Sequence, residues 1–159
     1  MKIIRARKEH VQQIIVVWQE FTQFHLDAEP LWNPGENAIG DFEIELIKQI
    51  QSDDAMVLVA IEQEEVLGFL IAEIGNQPPV FRLDRWGIIT DLGIKKEYRR
   101  NGIGEKMLSE AMNWFAKDNI KLVEVYLLVQ NQVATSFWSK QGFRVFSQRM
   151  YRLTDAFAH

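Results

Sequence analysis

Apolar residues recur at two spacings along this chain, one suited to helices and the other to strands. Val11, Ile14, Ile15, Trp18 and Phe21 fall on one helical face and predict a helix over 8–26. Phe42, Leu46, Ile47 and Ile50 predict a second over 41–51, and Pro30, Pro34, Gly35 and Gly40 mark the stretch between as loop. Residues 2–5 begin as a strand. The apolar runs 55–61 and 66–74, joined by the polar turn 62–65, read as a hairpin. A loop over 75–84, with Pro78 and Pro79, precedes a strand over 86–94. After Gly104 the pattern predicts a helix to about residue 118, a strand over 122–129, a helix over 132–140, and closing strands at 143–146 and 149–153. Antiparallel strands thus come first, and a strand, helix and strand crossover comes after them.

Composition places this pattern in one globular domain, 1–159, large enough for a real core. The longest apolar runs, 14–18 and 55–61, are too short to span a bilayer. The basic start (Lys2, Arg5, Arg7, Lys8) is not followed by an apolar segment of signal-peptide length, so no membrane partner and a cytoplasmic location are expected. The lack of Cys excludes disulfides, thiolate metal sites and a covalent Cys intermediate. His residues do not cluster with spaced acids, and no metal is expected.

The net charge of −4 hides an asymmetry. Residues 20–65 carry twelve acids against the single base Lys48, a net of −11, whereas 95–106 hold five bases and two acids, a net of +3. Positive charge is therefore concentrated around Arg99, Arg100, Asn101, Gly102, Ile103 and Gly104, where a strand turns into a helix. Glycines there let backbone N–H groups face outward at the helix end whose free donors attract anions, and arginines add fork-shaped donors for phosphate oxygens. The overall negative charge argues against nucleic acid as the partner.

Two common phosphate sites are excluded or demoted by the residues after the turn. A P-loop needs Lys and Ser or Thr after its last glycine, but Gly104 is followed by Glu105, Lys106 and Met107. A dinucleotide site wants a small residue where Met107 stands; Glu124, placed where a ribose-binding acid could be, keeps it as a remote alternative. A second constellation, Asn131, Ala134, Phe137, Trp138, Lys140, Gly142 and Phe143, comes after a strand in the pattern N-x-x-A-x-x-F-W-x-K-x-G-F. Together with R-x-x-G-x-G, this resembles the GNAT superfamily of acyl-CoA-dependent N-acyltransferases over about 86–146.

The resemblance implies a single α/β (α+β) GNAT-type domain, with a mixed, mostly antiparallel sheet of six to seven strands and about four helices. It implies an acetyl-CoA-dependent N-acetyltransferase with no acyl-enzyme, and it allows a homodimer. The turn at Arg99, Arg100, Asn101, Gly102, Ile103, Gly104 and Glu105 would hold the CoA pyrophosphate. Leu92, Gly93 and Ile94 would hydrogen-bond the pantetheine arm through their backbone, and Asn131 would touch the cofactor, cap its helix, or do both. Many members carry Tyr where this chain has Trp138, whose indole N–H donates a hydrogen bond but is no acid at neutral pH. Trp138 is then expected to pack on the cofactor arm, with water or Tyr126 supplying any proton. A catalytically silent acyl-CoA-binding module is the alternative.

A primary amine must lose its proton before attacking the acetyl carbonyl. Asp91, on the strand leading into the turn, is the candidate base, its other reading being a structural acid, and Glu73 comes next. Backbone N–H groups at 92–94 offer oxyanion stabilisation. For the acceptor, which could be a small molecule or a peptide amine, His25, Asp27 and Glu29 with Trp18, Phe21, Phe24 and Trp32 could form an acidic aromatic pocket for a cation. Equally, the aromatics could be core and the acids solvated.

Overall fold

In the computed structural model, residues 1–29, 31, 33–78, 80 and 82–154 are described. Five strands form one sheet in the order β1 (Lys2–Arg5), β2 (Ala55–Glu62), β3 (Glu65–Asn76), β4 (Arg85–Ile94) and β5 (Val123–Val125). Neighbours are antiparallel except β4 and β5, which are parallel, as a strand, helix and strand crossover requires.

Both faces of the sheet are apolar, so helices cover both. Val57, Val59, Phe69 and Ile71 face α1 (Val11–Ala28) and α2 (Ala38–Gln51), and pack with Ile14, Ile15, Val17 and Leu46. Met56, Leu58, Ala60, Leu70, Ala72 and Ile89 face α3 (Ile103–Lys117) and α4 (Gln132–Lys140), and pack with Ile103, Met107, Ala111, Phe115 and Trp138. Helix α3 lies close on β4 because Gly87 has no side chain: a Cβ there would meet Phe115 Cδ1 at 2.7 Å and Cζ at 2.8 Å.

Four helices match the expected number, but the sheet has five strands instead of six to seven. The strand read at 122–129 shrinks to Val123–Val125, and 143–146 and 149–153 do not pair. A strand exists only where another edge accepts its hydrogen bonds, and the backbone of 144–154 finds no partner among the described residues. The loop read at 29–40 is also shorter, since α2 starts at Ala38 and takes Gly40 into its first turn.

Gly87→Ala should force Phe115 aside and lower stability by about 1–3 kcal/mol, read from the urea unfolding midpoint. An unchanged midpoint would show that α3 has slack over β4.

Candidate active site

Strand β4 carries one residue too many for its partner. Ile71 faces Asp91 and Ala72 faces Ile89, so Thr90 is bulged out. The bulge reverses which way successive groups point. Before it, Gly87 N–H donates outward to Leu122 O at 2.8 Å; after it, Lys95 N–H donates inward to Leu67 O at 2.9 Å, which turns the N–H groups of Leu92 and Ile94 outward. Strand β5 pairs only with Gly87, Ile88 and Ile89. Residues 90–94 therefore present a backbone edge with no neighbouring strand among the described residues.

That edge leads into the turn singled out from its glycines and arginines. Gly102 caps α3 with a φ of 73°, and Arg100 before it has a φ of 63°, both left-handed. The first α-helical bond is Lys106 N–H to Gly102 O. The N–H groups of Arg100, Asn101, Gly102, Ile103, Gly104 and Glu105 have no acceptor in the described chain. A Cβ on Gly102 would meet nothing within 4 Å, so the space beside these donors is open. Such a row of outward amides at a helix start suits an anion. Gly104 lies where a Cβ would come 3.4 Å from the Phe137 ring, bringing α3 against α4.

The two arginines have different surroundings. Arg99 donates from Nε to Ile94 O at 2.9 Å and from a terminal nitrogen to Glu20 at 3.2 Å, with its guanidinium 6.0 Å from the centre of the Phe24 ring. Glu20 also accepts from Lys96 N–H at 2.8 Å, tying α1 to the turn. Arg100 is exposed and makes no ion pair with the described residues. Asn101 donates to Tyr98 O at 3.1 Å.

Asp91 pairs with Ile71, and so lies on the sheet face covered by α1 and α2. Burial raises its pKa from 3.8 to about 6; a hydrogen bond from Thr90 opposes this, and the charge of Glu73 adds to it. Glu73 is held by Gln49 of α2 through a hydrogen bond from Nε2. Asn131 is buried, and its Oδ1 accepts from Ala134 N–H at 3.0 Å, so the capping role is realised. Trp138 is buried between Phe137 and Phe143, with ring centres 5.1 and 5.0 Å away. Tyr126 lies just past β5 and is 73% exposed.

The acidic aromatic pocket is only partly assembled. Trp18 stacks on Phe42 at 4.3 Å and Phe21 meets Phe69 edge-on, both half-buried at the margin of the core. His25 Nδ1 lies 2.8 Å from Phe21 O, Asp27 accepts from Gln23, and Glu29 accepts from Gln130. Trp32 lies outside the described residues. Two long-range contacts are invisible to spacing and motif: those of Glu20, whose partners are far along the sequence, and that of Glu29, a candidate pocket acid that reaches Gln130 from the end of α1. Nothing local signals either contact. A cavity of about 200 Å³ lies at the far edge of the sheet, between β1, β2 and α3, away from Asp91.

A model of the acetyltransferase (GNAT) family matches residues 18–143. The chain belongs to the GNAT acetyltransferase family. Among relatives of this GNAT chain, the spermidine N(1)-acetyltransferase of Thermoplasma acidophilum is 29% identical over 102 residues, covering 64% of this chain and 58% of that protein. The matched stretch spans less than two thirds of the length of the curated relatives. A mutant of the BH1408 protein of Bacillus halodurans shares the fold with a TM-score of 0.88 at 16% identity, covering 97% of this chain and 99% of that one. The aminoglycoside N-acetyltransferase AAC(6')-Iy, solved with CoA, has a TM-score of 0.72 at 10% identity, covering 96% of this chain and 98% of that one. Among the described residues, no group of His, Cys, Asp and Glu is placed to hold a metal, and no helix is long and apolar enough to cross a membrane.

The raised pKa of Asp91 makes a stability prediction. Well below pH 4 its carboxyl is neutral in the folded and unfolded chains alike, and nothing is lost. As pH rises from 4 to 6 the unfolded chain sheds this proton first, and above 6 the native state holds a poorly solvated charge at a cost of about 3 kcal/mol. Asp91→Asn should therefore be more stable than the parent at pH 7.5 and nearly equal to it at pH 4, as compared by urea unfolding. A gain of the same size at both pH values would assign the effect to something other than titration.

Proposed function

We propose that this GNAT chain is an N-acetyltransferase that moves an acetyl group from acetyl-CoA to a primary amine by direct attack, with no acyl-enzyme. The observation that carries the reading is two neighbouring stretches of unpaired backbone, the outward N–H groups of Leu92 and Ile94 and those of Arg100 through Glu105. Pantetheine carries amides and pyrophosphate carries charge, in the order that this backbone would meet them. Arg100 supplies the free cation at the phosphate end, while Arg99, bonded to Glu20 and Ile94, holds the turn in shape.

Asp91 would take a proton from the incoming ammonium. Its pKa of about 6 leaves it ionised at neutral pH yet closer to the amine in proton affinity than an ordinary carboxylate. Gln49 of α2, bonded to Glu73 of β3, positions a second carboxylate on the same face. The thiolate leaving group needs little help, since a thiol titrates near ~8.5. Tyr126 or water would return the proton, and Trp138 would serve as packing beneath the cofactor arm.

The acceptor is best described as a small or peptide amine of cationic character. Spermidine and aminoglycosides, named for a relative and a structural neighbour, both fit that class. The acids of 20–65 favour cations at long range, although Glu20, Glu29, Glu43, Glu45, Glu62 and Glu65 are already bonded within the chain. The exposure of Tyr126 and the indole at 138 favour a second reading, a silent acyl-CoA-binding module.

Thermal shift with acetyl-CoA and CoA, then thiol release over spermidine, aminoglycoside and peptide amines, separates the two: binding without turnover on any amine favours the module. With an active amine, kcat/KM should rise with pH through an apparent pKa near 6, and Asp91→Asn should remove that limb with a loss of about 10²-fold or more. A surviving limb would move the base elsewhere. Gly102→Val sets a branched side chain at a left-handed φ and fills the open space beside the amides, so CoA affinity should fall more than about tenfold. Unchanged affinity would remove the turn from the cofactor site.

A further inference from the structure

Strand β1 forms the edge of the sheet farthest from β5. Ala6 N–H donates to Val57 O at 2.8 Å, so the alternation of an antiparallel strand points the N–H and C=O groups of Ile3 and Arg5 away from β2, where no strand stands among the described residues. Beside that edge runs a trough. Its wall is one stripe of α3, in which Lys106, Glu110, Asn113, Trp114 and Lys117 recur at helical spacing and line two adjoining cavities next to β1. The cavity of about 200 Å³ has Ile3, Met56, Leu58 and Trp114 as its apolar surface, with Arg5 and Lys117 among its polar lining. The second, of about 320 Å³, shares Ile3 and Glu110 with the first and continues to Met1 and Lys106. The side chains of Arg5, Lys106, Lys117 and Glu110 form no ion pair among the described residues, so three bases and one acid leave the trough a net of +2.

We propose that this trough takes an extended, acidic segment of another protein, which pairs with β1 as an added strand and sends alternate apolar side chains into the two cavities. Both halves of the site are used: backbone bonds to Ile3 and Arg5 supply affinity, and pockets for every second side chain supply selectivity. Side chains on one face of a strand stand two residues apart, and Met1, Ile3 and Arg5 line the cavities in that rhythm. The smaller cavity has room for one branched apolar side chain. Charge then selects the occupant. Strand β1 carries Lys2 and Arg5 and no acid, so the β1 of a second copy would bring four like charges to one short edge, where they repel. Acids on a partner segment instead answer the unpaired cations. Because Glu110 lines both cavities, those acids belong outside the apolar pair, toward Lys106 at one end and toward Arg5 and Lys117 at the other. Strand β4 lies three strands along the sheet from β1, so the segment is a partner and not the acceptor amine.

Fluorescence anisotropy tests the addition with a labelled octapeptide in which two leucines alternate with two threonines and two glutamates flank each side. Both of its ends are blocked, so it offers no amine to acetylate. Binding to the parent chain should saturate, weaken as salt rises, and shift tryptophan emission to the blue, a shift that Trp114→Phe should remove. Arg5→Glu combined with Lys117→Glu, at unchanged far-ultraviolet circular dichroism, should weaken binding by about tenfold or more. N-methylation of every second peptide amide separates edge pairing from plain charge attraction: one phase should weaken binding by about tenfold or more, and the other, whose methyl groups face solvent, should spare it. No saturable binding by the parent at millimolar peptide overturns the proposal, as does a folded double variant that binds like the parent. Should that variant misfold, the methylated peptides decide on the parent chain, and equal binding in both phases overturns edge addition. Octanoate shifting Trp114 emission where the peptide does not would assign the cavity to a small amphiphile and overturn the proposal as well.

Discussion

The parallel pairing of β4 with β5 ends at Ile89, and the rest of the candidate site depends on what β4 does after losing that partner. One bulged residue, Thr90, lies just past the end of the pairing. A bulge shifts the two-residue period of a strand by one, so groups that faced the neighbour before it face the opposite way after it. Here it turns the N–H groups of Leu92 and Ile94 into the open side and sets Asp91 on the face beneath α1 and α2. The open edge and the acid thus share one local cause, and they lie on two sides of the same short stretch of backbone.

Electrostatics then sorts the residues of the turn. Two arginines stand side by side, and Glu20 on α1 takes one of them. With Ile94 O and the Phe24 ring also around it, Arg99 becomes a strut between α1, β4 and the turn. Arg100, in a left-handed conformation, makes no ion pair among the described residues. Exposed ion pairs contribute little stability singly, so the value of Glu20 lies in geometry: it holds Lys96 N–H and Arg99 at once and so fixes where the turn begins.

Parts of this were legible along the chain. Helical spacing placed α1, α2 and α4, and the turn between strands 55–61 and 66–74 placed the hairpin, because each depends on contacts made within a few residues or on a periodic apolar face. Glycine and arginine around 99–104 marked the turn that opens α3, because a helix start with Gly at its cap is a local feature. The strands expected at 143–146 and 149–153 were misread for the opposite reason. Their apolar composition satisfies a strand, but no edge within the described chain receives them. Spacing brought Trp18 and Phe21 to one helical face, but not their ring partners Phe42 and Phe69, which come from α2 and β3.

The sequence by itself determined the hairpin, the helices and a turn of glycine and arginine of GNAT type, since periodicity and backbone freedom are written in neighbouring residues. The tertiary structure decided which arginine is free, which face Asp91 occupies and how far its proton affinity rises. Those depend on Glu20, Thr90 and Glu73 meeting their partners across the fold, and on burial, a property that no residue has until the chain closes around it.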